Sequence, residues 1–505
     1  MNQVRGFSRR AFLGTGGSLI VSFSLFGVAR AQVTETPSAS GATPEAAGPT
    51  EVDAQQQAMT DTAIDPSQVD SWLAVDQSGN VTIFSGKVEL GTGTRTALAQ
   101  IAADELYVPF DRVTMVQGDT ARAPDEGYTA GSQTIQVGGD NVRRAAAEAR
   151  QALLELASVR LVVPLTSLTQ SDGNIFTVGD PSQLISYGDL IGDQQFDRTI
   201  SDQTPLKDPS LYTVVGQSIP RVDLPDKIFG QPSYVSDLRL PNMLHGRTVH
   251  PPAHGATLAT MDPTSVSGIA DLVQVVQNGS FVGVVARSEW GAIQAATQLK
   301  VTWNAPSLLP DQSQLSEFLR QQQTSDRQLV NTGDVDAALS NAATVLQASY
   351  SQPYQSHVSI GPSCAVADVQ ATQATVYSST QGVYPLRGAI AQLLGMSADS
   401  VRVIHMDGSG CYGHNGFDDA AGEAALLSQA VGQPVRVQWM RQDENVWEPH
   451  GPAMSVDIRG AVDSVGNVRA WDYQVWTPTH STRPDGDGSE PSSWHAGQPA
   501  VSSRR

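Results

Sequence analysis

Gly86-Lys87-Val88-Glu89-Leu90-Gly91-Thr92-Gly93-Thr94 joins an alternating apolar stretch to a helix-forming run, Thr96 to Leu106. Upstream, Trp72-Leu73-Ala74-Val75, a turn at Ser78-Gly79-Asn80 and Val81-Thr82-Ile83-Phe84 read as a β-hairpin. A glycine turn between strand and helix lets the backbone approach a ligand closely. It also aims free N–H groups at an anion, with the helix dipole adding favourable potential. The arrangement recurs: Gly131-Ser132-Gln133-Thr134 and Gly138-Gly139-Asp140 open a helix at Val142, and Gly408-Ser409-Gly410-Cys411-Tyr412-Gly413 opens one at Ala420. Any one of these turns is equally a helix cap without a ligand, because Gly and Thr suit such positions. Several in one chain point to a long polyanionic ligand such as a dinucleotide cofactor. None carries Lys-Ser or Lys-Thr after its final glycine, and none has the dinucleotide fingerprint spacing, so the cofactor is of another kind.

Working outward, 505 residues amount to about three domains at roughly 150 residues each. The chain has 51 acidic against 31 basic residues, a net charge of -20, which disfavours nucleic acid and anionic membrane surfaces as partners. Two cysteines, Cys364 and Cys411, exclude an iron–sulfur cluster held by this chain alone, since such clusters need four ligands. His250 and His254 bracket Pro251 and Pro252, which cannot form the helical turn that would bring both imidazoles to one metal. At the N-terminus Ser8-Arg9-Arg10-Ala11-Phe12-Leu13, a mildly apolar stretch and Ala29-Arg30-Ala31 match a twin-arginine export signal, which places the protein in the periplasm. Glycine, serine and threonine dilute that stretch too much for a membrane span.

The chain divides into the signal (1–31), a disordered spacer (32–68), an N-terminal segment (69–165), a connecting segment (166–221), an α/β module (222–304), a polar connector (305–339), a further domain (340–480) and a tail (481–505). A second hairpin is expected at Met454–Ile458 and Val468–Tyr473, and helices at Val142–Ala157, Leu386–Leu394 and Ala420–Ala430. The module has strand-like Val273–Val276 and Phe281–Ala286, a helix near Glu289–Leu299, and Lys300–Trp303. Strands and helices alternate without a regular βαβ rhythm, so the fold class is α+β, with the compact module inserted between two larger pieces. The tail is rich in serine, proline and glycine, with Val501 as its single residue among Val, Ile, Leu, Met and Phe, and cannot continue a packed domain.

The Gly86–Gly93 stretch, with Gln100-Ile101-Ala102-Ala103-Asp104-Glu105-Leu106, Gly118-Asp119-Thr120 and Gly131-Ser132-Gln133-Thr134, resembles the molybdenum hydroxylases, the xanthine dehydrogenase and aldehyde oxidase family. The nearest branch is the large subunit of isoquinoline 1-oxidoreductase-type enzymes. Leu244-His245-Gly246-Arg247 and Ala253-His254-Gly255-Ala256 are similar to the family's hammerhead domain. Ser379-Thr380-Gln381-Gly382 and Gly408 to Asn415 are similar to its molybdopterin-binding segments.

The resemblance implies molybdenum on a pterin dithiolene, usually as the cytosine dinucleotide, with no protein ligand to the metal. Gly91 to Gly93 and Gly131 to Thr134 would cradle pterin and pyrophosphate; the Gln381 amide would reach toward the metal's oxygen, with Gly382 beside it in the cofactor-binding segment; Gly410, Cys411, Tyr412 and Gly413 would form an aromatic and backbone wall beneath it. Thr92 departs from the glutamine of the xanthine dehydrogenase pattern, and its shorter side chain would need its hydroxyl or a water to make that contact. Cys411 is either a packing residue or a thiol near the metal, and His414 faces either the substrate pocket or solvent. The implied reaction hydroxylates a carbon beside a ring nitrogen, or oxidises an aldehyde, with oxygen from water. Electrons pass to a small subunit carrying [2Fe–2S] clusters, with a periplasmic cytochrome as a candidate acceptor. The family's catalytic glutamate has no counterpart here; Glu423, Glu444 and Glu448 match other positions and are expected at the surface. The sequence therefore reads as truncated, and a non-catalytic cofactor-binding remnant is the alternative function. A hydrolase using Asp418 and Asp419 is disfavoured, because neighbours in sequence rarely flank one substrate from opposite sides.

Overall fold

A computed structural model describes residues 64–231, 234–253, 255–304, 310–479 and 483. The export signal, most of the spacer, His254 and the tail other than Arg483 lie outside the described residues. Strand β1 (Leu73–Val75) pairs antiparallel with β2 (Val81–Ser85), and the Asp76 carboxylate closes the turn by accepting from the Ser78 and Asn80 amides. Helix α1 (Thr94–Leu106) then crosses over to β3 (Val113–Gln117), which lies parallel to β2. Leu98, Ala102 and Leu106 recur at helical spacing and are buried with Trp72 and Ile83 against α2 (Gly139–Leu161).

The next sheet comprises β4 (Leu168–Ser171), β5 (Asn174–Thr177) and β6 (Asp180–Ser186), followed by α3 (Tyr187–Ile191). Ile175, Tyr187 and Ile191 enter the same core as Trp72 and Leu98, so the stretch read as a connecting segment is part of the N-terminal unit. The chain after it straps back over α1. Buried Asp104 accepts the backbone N–H groups of Thr213, Val214 and Val215 and pairs with Lys207 at 3.0 Å, while buried Glu105 pairs with Arg150 at 2.6 Å.

After α4 (Leu224–Ile228) come β7 (Leu244–Thr248), β8 (Leu258–Asp262), β9 (Leu272–Asn278), β10 (Phe281–Ala286), α5 (Glu289–Gln298) and β11 (Lys300–Trp303). The polar connector holds two short helices, α6 (Leu315–Gln321) and α7 (Val335–Ser340). The remainder supplies β12 (Thr344–Gln352), β13 (Cys364–Val369), β14 (Ala374–Ser378), α8 (Val383–Leu394), β15 (Val401–His405), α9 (Phe417–Val431), β16 (Val435–Gln438), α10 (Arg441–Trp447), β17 (Met454–Val462) and β18 (Val468–Trp476).

One seven-stranded sheet runs β15-β14-β13-β16-β7-β10-β9. Strand β7 pairs in parallel with β16, so the sheet of the α/β module is continuous with that of the following domain rather than a separate insert. Helix α9 lies close on this sheet because Gly246 and Gly283 lack side chains: a Cβ at either would stand 2.6 or 2.7 Å from the Leu427 methyls. A three-stranded sheet, β12-β17-β18, stands apart from the seven-stranded one. Its register sets Leu346, Gly460 and Trp471 in one cross-strand rung, Ala348, Ile458 and Tyr473 in the next, and Tyr350, Val456 and Val475 in a third. These positions share a face. The opposite face carries Asp457, which Arg320 of α6 clamps with two bonds of 2.6 and 2.8 Å, and Ala461 and Ala470, which pack on Leu339 of α7.

Candidate functional site

The turns singled out in the sequence converge on the ends of β2, β14 and β15. His405, at the end of β15, is buried, with Nδ1 3.1 Å from the Thr380 carbonyl and Nε2 3.0 Å from the Glu89 carbonyl. Its own amide donates to the carbonyl of Gly118, a glycine at φ +62°, where a Cβ would lie 2.6 Å from the His405 Cβ and 2.5 Å from Val88. Nearby, Asp119 holds Arg402 with two bonds of 2.9 and 2.6 Å, which fixes the 118–120 turn against β15.

Gln381 and Thr129 are locked reciprocally. The Thr129 amide donates to the Gln381 carbonyl at 2.8 Å, and the Gln381 side-chain amide donates to the Thr129 carbonyl at 3.1 Å. The Thr129 hydroxyl in turn accepts from Val88 N–H at 2.9 Å, tying the Gly86–Gly93 stretch into the same knot. Buried Lys87 completes it, donating to the carbonyls of Glu126 and Tyr128 at 2.6 and 2.8 Å. Burial pushes the Lys87 ammonium below its ordinary range, with Glu126 and Asp125 opposing. The Gly382 Cα faces the Tyr128 ring at a distance that admits no Cβ, and the Arg483 guanidinium lies 5.1 Å over that same ring. Gly131 and Ser132 are left-handed, at φ +63° and +59°, and exposed with Gln133; Thr134 is buried at the start of a π-helical turn (134–138) leading into α2. Such turns inside helices concentrate at functional sites.

The Gly91-Thr92-Gly93 turn differs from expectation. Its amides do not await an outside anion: the buried Glu89 carboxylate accepts from the N–H groups of Gly91, Gly93 and Arg95 at 2.8, 2.9 and 3.0 Å, and from the Thr94 hydroxyl at 3.2 Å. The positive end of α1 is thus met by a side chain of the chain itself, while Thr92 is exposed. Arg221 donates to the Gly91 carbonyl at 2.8 Å and pairs with Asp223, and Lys227 bridges Asp223 and Asp407 at 2.7 and 2.9 Å. Burial alone would raise the Asp407 carboxyl, but His405 and Lys227 outweigh it and hold the group below the usual carboxylate range.

The 408–415 loop lies beside Ser379, since a Cβ on Gly408 would collide with that side chain. Gly410 and Gly413 sit at φ +115° and +141°. Cys411 is half-buried, its thiol 3.1 Å from the Gly413 carbonyl and raised in pKa by burial. Tyr412, expected as an aromatic wall, is 55% exposed. His414 is not a solvated loop residue: it is buried, with Nε2 3.6 Å from Asp418. A Cβ on Gly413 would stand 2.3 Å from the His357 ring, whose Nδ1 lies 2.9 Å from the Pro449 carbonyl while the His357 backbone amide donates to Glu448. Gly413→Ala therefore costs about 1–3 kcal/mol and displaces the loop, which denaturant titration detects as a lowered midpoint. A midpoint equal to wild type would show that the loop yields freely.

Glu423, Glu444 and Glu448 overturn their surface assignment, being 2%, 0% and 2% exposed. Glu444 accepts from Ser363 N–H and both Ser359 and Ser363 hydroxyls, and burial raises its carboxyl. Glu448 caps the 356–358 turn, accepting from the Ser356 hydroxyl and the His357 and Val358 amides. Glu423 meets His250, which also faces Asp443 and stacks on Trp447. Asp418 and Asp419 are buried beside them, and burial, with Asp418 and Glu423 adding repulsion, raises Asp419 well above the carboxylate range. No three of the described His, Cys, Asp and Glu side chains form a metal-binding group. A cavity of about 420 Å³ bounded by Ser265, Asp271, Gln294 and Gln298 touches none of these loops.

Sequence reasoning missed Glu89, Thr129 and His405 as members of the site. Only Glu89 had a local signal, a carboxylate two residues ahead of a Gly-x-Gly turn.

Two family models, both described as molybdopterin cofactor-binding domain, match residues 51–229 and 319–488. The first takes in the 166–221 stretch that the core also assigns to the N-terminal unit. A nicotinate dehydrogenase subunit of Pseudomonas putida is 43% identical over 418 residues, covering 81% of this chain and 35% of that protein. The isoquinoline 1-oxidoreductase beta subunit of Brevundimonas diminuta is 26% identical over 514 residues, covering 90% and 62%. Among solved structures, the aldehyde oxidoreductase of Desulfovibrio gigas aligns with a TM-score of 0.44 at 15% identity, over 69% of this chain and 38% of that one. The chain thus spans between about one third and two thirds of the length of these relatives.

Proposed function

The chain belongs to the molybdenum hydroxylase family as a molybdopterin-binding large subunit, and from that premise we propose that it serves an enzyme hydroxylating an aromatic N-heterocycle. Oxidation of an aldehyde is the neighbouring chemistry. The observation that carries the reading is the convergence of the 86–93, 128–134, 379–382 and 408–415 loops around His405 and Gln381, all within stretches matched by the two family models.

The residues present fit a polar, ring-shaped cofactor. Ser379 Oγ, beside the 408–415 loop, and Asn415 Nδ2, within it, are buried without a hydrogen-bond partner among the described residues. Unsatisfied buried groups of this kind are costly unless a ligand or water meets them. Ser379, Asn415, Gly382 and the Gly410–Gly413 backbone are the groups that would hold the pterin, and the exposed Gly131–Gln133 turn its extension as a cytosine dinucleotide. The bound group supplies two-electron oxidation with oxygen drawn from water. The chain's own part is positional: Thr129 holds the Gln381 amide, and Asp119 with Arg402 keeps β15 and His405 in place.

Two cysteines, one buried, leave no set of four for a cluster, so electrons would leave through a small [2Fe–2S] subunit. The twin-arginine motif supports assembly in the cytoplasm, export of the loaded complex to the periplasm, and a cytochrome there as acceptor. Coexpression with cofactor-assembly proteins and the neighbouring iron–sulfur subunit tests the proposal. Close to one molybdenum per chain, cytidine monophosphate on acid hydrolysis, and label from ¹⁸O water in hydroxylated nicotinate are the expected results. A chain that retains neither molybdenum nor an iron–sulfur partner would overturn it. Molybdenum retained without oxidation of any N-heterocycle or aldehyde would instead favour a cofactor-binding module that does not turn over.

A further inference from the structure

In the three-stranded sheet β12-β17-β18, α6 and α7 pack on the face that bears Ser455, Asp457, Ala461 and Ala470, whereas the opposite face, with three apolar rungs between Thr344 and Gln352, leaves its large side chains uncovered among the described residues. On it Leu346, Tyr350, Trp471, Tyr473 and Val475 are 70%, 59%, 62%, 50% and 41% exposed. No ionisable group other than tyrosine occupies any of the three rungs, in a chain of which 16% is charged. Trp471 lies flat enough over Gly460 that a Cβ there would touch its ring at 3.4 Å, so the surface is level as well as apolar. At 150–250 Å² for each large side chain, those exposures leave roughly 550 Å² of contiguous apolar surface, at the upper end of what a monomer ordinarily shows.

The geometry points to a docking face for a further polypeptide domain, of the kind by which the curated relatives exceed this chain. Three observations favour that occupant. Two such faces brought together would bury about 1,100 Å², within the range of interfaces between domains of one protein and short of the roughly 1,600 Å² typical of a stable complex between separate copies. The chain spans 35% and 62% of two relatives, so those proteins carry several hundred additional residues that pack somewhere. The three rungs, with small Gly460 and Ala348 set among Leu, Ile, Val, Tyr and Trp, form the relief of large and small side chains that lets two faces interdigitate in a core. The inference rests on the family relationship and not on the reaction, so its failure would leave molybdenum loading of the chain unaffected.

The test coexpresses the full chain with the part of the Pseudomonas putida nicotinate dehydrogenase subunit that lies outside the 418 matched residues. A 1:1 complex is expected on size-exclusion chromatography with light scattering. Leu346→Asp with Tyr473→Asp should lower its recovery at least tenfold, and Gln347→Ala, on the opposite face, should leave it unchanged; far-UV circular dichroism confirms that all three chains are folded. A soluble partner that fails to copurify would overturn the proposal, as would equal recovery with the double variant. So would a homodimer of this chain that the double variant dissolves, since the occupant is then a second copy. If the partner is insoluble alone, the two are joined by a flexible linker and acrylamide quenching of Trp471 is read as the difference from Trp471→Phe. At least threefold protection relative to the chain alone is expected, and unchanged quenching would sink the idea.

Discussion

Replacing His250 with alanine lowers the stability of the folded chain by about 3–5 kcal/mol, because the substitution strands a carboxylate in the interior. The His250 side chain is 6% exposed, with Nε2 2.6 Å from Glu423 and Nδ1 3.3 Å from Asp443, its ring stacked on Trp447 and meeting the edge of Trp439. Burial would drive the imidazolium toward neutrality, but the Glu423 carboxylate and the Asp443 contact outweigh it and raise its pKa to about 10. Without the ring, Glu423 keeps only the Trp439 indole at 2.8 Å, and a void opens between two indoles. The pH dependence follows from linkage. A folded-state pKa near 10 against about 6.5 unfolded makes the contribution complete below pH ~6.5, diminishing as pH rises, and lost above ~10. Urea titrations of wild type and variant should therefore differ most at pH 6 to 6.5 and converge toward pH 10. A difference below 1 kcal/mol at pH 6.5, or one that does not change with pH, would show that the ring is neutral and replaceable.

The same cluster shows what a sequence conceals. Both hairpins were legible because alternation and a Gly-Asn turn are local signals. The four expected helices lie where apolar spacing set them, each extended by a few residues at its ends. Strand β10 was legible too, as an unbroken apolar run, and all six of its residues are buried. The continuity of the seven-stranded sheet was not legible, because β7 and β16 pair across 191 residues and neither strand's composition specifies its neighbour. Glu423 carries the same limit. On a helix a carboxylate is ordinarily solvated, and only the arrival of His250, 173 residues away in sequence, makes its burial tolerable. Glycines fared better: Gly246 and Gly413, both inside recognisable motifs, are positions where a neighbouring side chain leaves no room for a Cβ.

Glu89→Ala is expected to cost about 3–5 kcal/mol and to convert the Gly91–Gly93 turn into the open anion site that its glycines suggest. In the folded chain one buried carboxylate serves three backbone amides and a hydroxyl at the start of α1, with Arg221 3.8 Å away. Charge-assisted bonds of this kind contribute about 1.5–3 kcal/mol each but are not additive. Their joint loss leaves donors and a helix dipole without a counter-charge. Phosphate or sulfate, absent an internal competitor, should then recover about 1–3 kcal/mol at saturating concentration in the variant and nothing in the wild type. Glu89→Gln, which keeps the shape but turns an amide NH2 toward the N–H groups, should be intermediate in stability and insensitive to the anion. Thermal unfolding with and without phosphate, beside molybdenum content, separates two accounts of the turn. If Glu89 is the permanent counter-charge, the alanine variant loses stability and gains anion dependence. If the amides belong to the cofactor and Glu89 withdraws when it binds, the variant loads molybdenum at least as well as wild type, and the loaded forms unfold together. The second result would return Gly91 and Gly93 to the role their spacing first suggested.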